Sequence, residues 1–98
     1  MEDQYTAEIG RAWAHLRQGN STDALHEFEE ILKSAPSHVD ALYGLGLTRV
    51  AQGQNETAHS TFQKCLEIVN KERAKGYDDR WEMLQRMIGQ RVKETKPA

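Results

Sequence analysis

The stretch Ala41-Leu42-Tyr43-Gly44-Leu45-Gly46-Leu47, followed by Gly53, Ala58, Phe62 and Leu66, decides the fold. Apolar residues stand at helical spacing on both sides of Gly53, a pattern that predicts two helices joined at a glycine. A shift of 34 residues toward the N-terminus carries Gly53, Ala58, Phe62 and Leu66 onto Gly19, Ala24, Phe28 and Leu32, so four identities share one offset. The helical hairpin therefore occurs twice.

Working outward, Tyr5, Ile9, Ala12, Trp13 and Leu16 give a first helix one apolar face, and Gly19 ends it. Asn20, Ser21, Thr22 and Asp23 all have oxygens suited to capping a second helix. Its inner face carries Ala24, Leu25, Phe28, Ile31 and Leu32, with Glu27, Glu29 and Lys33 outward, and Pro36 bars its continuation. Ser37-His38-Val39-Asp40 predicts a capping box, with Ser37 taking the amide of Asp40 and the Asp40 carboxylate reaching back. A third helix then runs through Leu42, Leu45, Gly46 and Val50 to Gly53. Asn55 offers a cap to a fourth, which bears Ala58, Phe62, Cys65, Leu66 and Val69.

Beyond Asn70 two phasings are open. Either the fourth helix continues through Lys71-Glu72-Arg73-Ala74 to about Lys75 and Asp78 or Asp79 starts a fifth, or the break falls near Asn70 and Gly76 lies within the fifth helix. The first is preferred, because glycine inside a helix costs about 1 kcal/mol relative to alanine and is favoured just after one. The fifth helix then presents Trp81, Leu84, Ile88 and Val92 as a stripe and caps the stack, followed by a frayed tail from Glu94.

Composition narrows the function classes. Of 98 residues 38% are hydrophobic and 29% charged, and 13 Lys+Arg against 15 Asp+Glu leave a net charge of -2. No basic footprint for nucleic acid or acidic membranes results, and neither partner is expected. The longest apolar runs fall far short of the ~20 residues of a membrane span. A lone cysteine, Cys65, forms no internal disulfide, and Met1-Glu2-Asp3-Gln4 has none of the basic start of a secretory signal. A cytoplasmic chain in a reducing compartment is the expectation.

These residues resemble the tetratricopeptide repeat family, whose 34-residue unit is a pair of antiparallel helices. The resemblance covers about Tyr5 to Asn70. Leu42, Leu45, Gly46, Gly53, Ala58 and Phe62 match the unit's pattern, Cys65 holds a place usually given to alanine, and Pro36 matches the closing proline. It implies an all-α, right-handed stack of helix pairs, an α-solenoid of five helices. The whole of 1–98 forms one domain, with repeat one at 5–38, repeat two at 39–72 and a capping helix at about 77–93. Departures are Glu8 and Arg11 where the family prefers large apolar residues, His15 and Arg49 in place of its tyrosine, and Asn70 in place of a second proline. Two units and a cap lie near the lower limit for such a stack, which favours self-association.

Chemistry finds little support in the pattern. His26 and Glu30 share a helix face but lack the second histidine of a metal helix, and His15, His38 and His59 have no ligand spacing. Cys65 lies on an apolar stripe, where burial disfavours a thiolate. Gly44 and Gly46 sit inside a helix, where no phosphate loop forms. No catalytic residue, metal or cofactor is expected, and the chain does not read as an enzyme.

What remains is a surface. In the family the first helices of successive units line a concave groove that holds a peptide or partner helix. The 34-residue offset places Ile9, Tyr43 and Tyr77 in one column, Trp13, Leu47 and Trp81 in a second, and Leu16, Val50 and Leu84 in a third. The resemblance thus implies an adaptor or scaffold that binds an apolar or amphipathic segment of another protein through Ile9, Trp13, Tyr43, Leu47, Tyr77 and Trp81. The alternative is a structural homo-oligomer that buries the same groove against a second copy. Ile9, Trp13 and Gly44 stand where the chaperone-binding members carry a polar carboxylate clamp, so that ligand is not expected.

Overall fold

The computed structural model describes residues 4–76 and 79–97. Among these the chain forms five helices and no strand: α1 (Thr6–Arg17), α2 (Ser21–Ser34), α3 (Val39–Ala51), α4 (Asn55–Lys75) and α5 (Asp79–Thr95). Each helix packs on the next in chain order, and α1 also meets α3. The expected all-α stack of helix pairs is what forms, 39 × 37 × 21 Å in extent. Its short dimension is two helix diameters, so the stack is two layers thick.

The turns inside the two pairs are one structure used twice. Gly19 and Gly53 have φ of 83° and 75°, the left-handed region that a side chain disfavours. Gly19 N–H donates to Leu16 and Gly53 N–H to Val50, while Asn20 and Gln54 N–H donate to His15 and Arg49, both at 2.8 Å. This pair of bonds satisfies carbonyls that a helix end leaves open, and it needs a left-handed residue between them. That need places both glycines.

Helix starts depart from expectation. α2 and α4 begin after Asn20 and Gln54 with no side-chain cap. α3 is capped instead by His38, whose Nδ1 accepts from the Ala41 amide at 3.2 Å. The box anticipated between Ser37 and Asp40 does not form: the helix is capped one residue later, at His38, and the Asp40 carboxylate accepts from the Trp13 indole N–H at 3.0 Å.

The core has two centres. Ile9, Ala12, Ala24, Phe28, Ile31, Ala41 and Leu45 fill the space among α1, α2 and α3. Leu42, Ala58, Phe62, Cys65, Val69 and Ile88 fill that among α3, α4 and α5. α3 belongs to both, and two glycines let it do so. A Cβ on Gly44 would collide with the Phe28 ring, and one on Gly46 would stand 2.5 Å from the Phe62 ring. Each ring lies where a side chain would otherwise be.

α4 runs unbroken to Lys75, the first of the two phasings, and has 21 residues against 14 in α2. The extra turns delay α5, so the offset of 34 does not extend to it. Trp81 sits in the first turn of α5, beside Val39 and Asp40 of the first turn of α3, and not in line with Leu47. α5 closes the second centre through fully buried Ile88, with Trp81, Leu84 and Val92 packed around it.

Adding a methyl at Gly44 must push a fully buried ring aside. Gly44→Ala is expected to destabilise the chain by about 1–3 kcal/mol, although alanine is the better helix former. Gly10 lies in α1 with nothing near its missing Cβ. There Gly10→Ala should stabilise by up to about 1 kcal/mol. Thermal melts followed by circular dichroism check both signs.

Candidate functional site

The cross-helix contacts along α1, α3 and α5 build one aromatic wall. Trp13 leans edge-on against Phe28, with ring centroids 5.4 Å apart, and meets Tyr43 at 6.4 Å. Tyr43 lies on Phe62 at 5.6 Å, and its hydroxyl accepts from Arg91 Nε of α5 at 3.1 Å. That bond, first among its causes, raises the Arg91 pKa further above its ordinary range. Arg91 also reaches Glu94 at 3.1 Å. Arg80 lies over the Trp81 ring, 4.8 Å from its centroid.

Between α3, the C-terminal part of α4 and α5 opens a cleft of about 630 Å³. Its apolar walls are Tyr43, Ile68, Trp81, Leu84 and Met87, and its rim carries Asp40, Glu72 and Arg80. The anticipated site residues divide around it. Tyr43 and Trp81 line the cleft, both half-buried. Trp13 borders it through its contacts to Tyr43 and Asp40. Leu47 packs onto the second core centre, and Ile9 is buried in the first at 9% exposure. Tyr77 lies outside the described residues. Ile68 and Glu72 are not anticipated because they lie on α4, whereas the groove columns count only first helices, and Met87 because the offset of 34 counts from the wrong start for α5.

The amino-acid pattern of residues 9–72, more than half of the chain, matches the family model described as tetratricopeptide repeat. The chain belongs to the tetratricopeptide repeat family. No curated protein and no solved structure matches it. Tetratricopeptide repeats generally mediate protein–protein interaction and are typically non-catalytic modules. Where this member departs from the family's tyrosine, polar links between helices take over. His15 Nε2 meets Glu27 Oε1 at 3.2 Å, and Arg49 reaches Glu29 at 3.4 Å and Gln54 at 3.1 Å.

Reactive chemistry is disfavoured where the structure bears on it. Cys65 is buried, its Sγ donates to the Val39 carbonyl at 3.6 Å, and desolvation pushes its thiol pKa up to about 12, with Asp40 adding to the rise. Among the described residues no group of three or more His, Cys, Asp or Glu is placed to hold a metal ion. No helix among them is long and apolar enough to cross a membrane.

Two measurements follow. A double-mutant cycle on Trp13→Phe and Asp40→Ala, read by urea unfolding, should give a coupling of about 0.5–1.5 kcal/mol, the worth of one hydrogen bond between the two repeats. The Cys65 thiol, ordinarily near 9, is raised by folding. The stability that its neutral form contributes is complete below about pH 9 and falls as pH climbs toward about 12. Native Cys65 should therefore resist alkylation at neutral pH and label only as fast as the chain opens.

Proposed function

We propose that the chain is an adaptor or scaffold module whose cleft between α3 and α5 takes an apolar or amphipathic segment of another protein. The observation that supports this most is the convergence of Tyr43, Ile68, Trp81, Leu84 and Met87 on one open cleft of about 630 Å³. Aromatic and methionine side chains give large contact area that adapts to varied partners, and buried aromatic anchors dominate binding energies in such surfaces. A rim with both carboxylates and an arginine suits a helix with one polar face better than a wholly apolar strand. Of the residues read from sequence, Trp13, Tyr43 and Trp81 are taken as the anchors, with Leu47 and Ile9 supporting them from the core. The units are taken as 5–38 and 39–72 with the closing helix after them, and the lone cysteine suits a cytoplasmic, reducing setting.

A designed amphipathic helical peptide bearing leucine and methionine on one face provides the probe. Its addition should shift the tryptophan fluorescence of the chain. Tyr43→Ala and Trp81→Ala should each weaken binding by ~2 kcal/mol or more, roughly thirtyfold. Lys33→Ala, at an exposed position of α2, should leave it unchanged. A peptide that binds equally well to Tyr43→Ala and Trp81→Ala refutes the cleft as the site, and a chain whose cleft is already filled by a second copy supports the homo-oligomer instead.

A further inference from the structure

Sulfur is distributed unevenly in this chain. Of three methionines and one cysteine, Met1 lies outside the described residues and Cys65 is buried, while Met83 and Met87 stand one turn apart on α5 at 66% and 42% exposure. Every sulfur open to solvent among the described residues is therefore on one helix. The Cys65 thiol lies in the second core centre, where burial keeps it protonated at neutral pH, and the thiolate is the form that reacts. A thioether needs no deprotonation and is oxidised where it is exposed.

The two methionines differ in place. Met87 lines the cleft between α3 and α5, on a wall shared with Tyr43, Ile68, Trp81 and Leu84, and Met83 does not. Neither belongs to a core centre, because α5 is held by Ile88 with Trp81, Leu84 and Val92 around it. A change of polarity at either sulfur thus leaves the packing of the helices in place.

A peroxide makes such a change. The sulfur lone pair attacks one peroxide oxygen, and an S–O bond forms as the O–O bond breaks. The departing oxygen takes the proton of the transferred one and leaves as water, so sulfur loses two electrons and the peroxide gains them. Two thiols reverse the step, removing the oxygen as water and becoming a disulfide. The sulfoxide is a hydrogen-bond acceptor on a side chain that was apolar. Water solvates it in the open cleft. A segment whose apolar face is seated against Ile68 and Leu84 strips that water and returns no donor, so the cost falls on the bound state alone.

We propose that Met87 is a reversible oxidation site, and that its sulfoxide releases an apolar or amphipathic segment held in the cleft between α3 and α5. The release rests on the reading of that cleft as a binding site. Met83, on the same helix but outside the cleft, is the control.

Treating the full chain with hydrogen peroxide at neutral pH tests it, followed by mass spectrometry of proteolytic fragments, circular dichroism melts and peptide binding. The probe is a helical peptide with only leucine on its apolar face, so that it carries no sulfur of its own. Met83 and Met87 should each gain one oxygen before Cys65 does, with the melt unchanged. Affinity for the peptide should fall about tenfold and return after reduction by methionine sulfoxide reductases with a thiol. Met87→Leu should keep its affinity through the same treatment, whereas Met83→Leu should lose it as the unsubstituted chain does. Met87→Gln, with a polar amide of similar size, should bind weakly without any peroxide. An oxidised chain that binds as tightly as the untreated one overturns the proposal and leaves the cleft as a binding site. A loss of affinity shared by Met87→Leu also overturns it, as does a melt that collapses when Met87 is oxidised. A peptide that binds neither form overturns the reading of the cleft, and the switch with it.

Discussion

Two phenylalanine rings laid against two glycines hold the rest of the structure in place. α3 is the helix shared by both core centres, and it approaches α2 and α4 closely only because Gly44 and Gly46 leave room for Phe28 and Phe62. Burying a phenylalanine is worth about 1.5–3 kcal/mol. The exposed pairs Lys33–Glu30, Lys75–Glu72 and Arg86–Glu82 lie in water, where such pairs contribute little. Packing around α3, and not surface charge, therefore decides how the helices are arranged.

The same packing sets the aromatic wall. Tyr43 precedes Gly44 in the chain, and while the Phe28 ring occupies the place of a Gly44 side chain, the Tyr43 ring rests on Phe62 and reaches Arg91 with its hydroxyl. Trp13 rests on Phe28 and is held by Asp40. Tyr43, Ile68, Trp81 and Leu84, which line the cleft, are thus outer members of the second core cluster. On the proposed reading, anchors held in this way would lose little side-chain freedom on binding, one of the costs of association.

Much of this was legible in the sequence, for physical reasons that differ between residues. Gly19 and Gly53 announce themselves because a helix closure with a left-handed residue tolerates little else, and the pairs Ala24 and Ala58, Phe28 and Phe62 repeat because the same packing repeats. Helix starts were harder. Ser37, His38 and Asp40 all carry suitable acceptors, so the local pattern does not single out His38, and the bond from Trp13 to Asp40 spans 27 residues. The bond from Arg91 to Tyr43 spans 48 residues and has no local signal at all. Trp81 was placed in the column of Leu47 because the offset of 34 was carried past Asn70, where α4 continues to Lys75 on residues that favour a helix.

Native-state hydrogen exchange measures most directly whether α3 is the element on which the fold depends. If it is, the amides of Leu42 to Thr48 exchange only through global unfolding and share its free energy, while the N-terminal turn of α1 and the C-terminal turn of α5 open at lower cost. Exchange of the Leu42 to Thr48 amides through a local opening, with α4 or α5 still protected, would contradict the account.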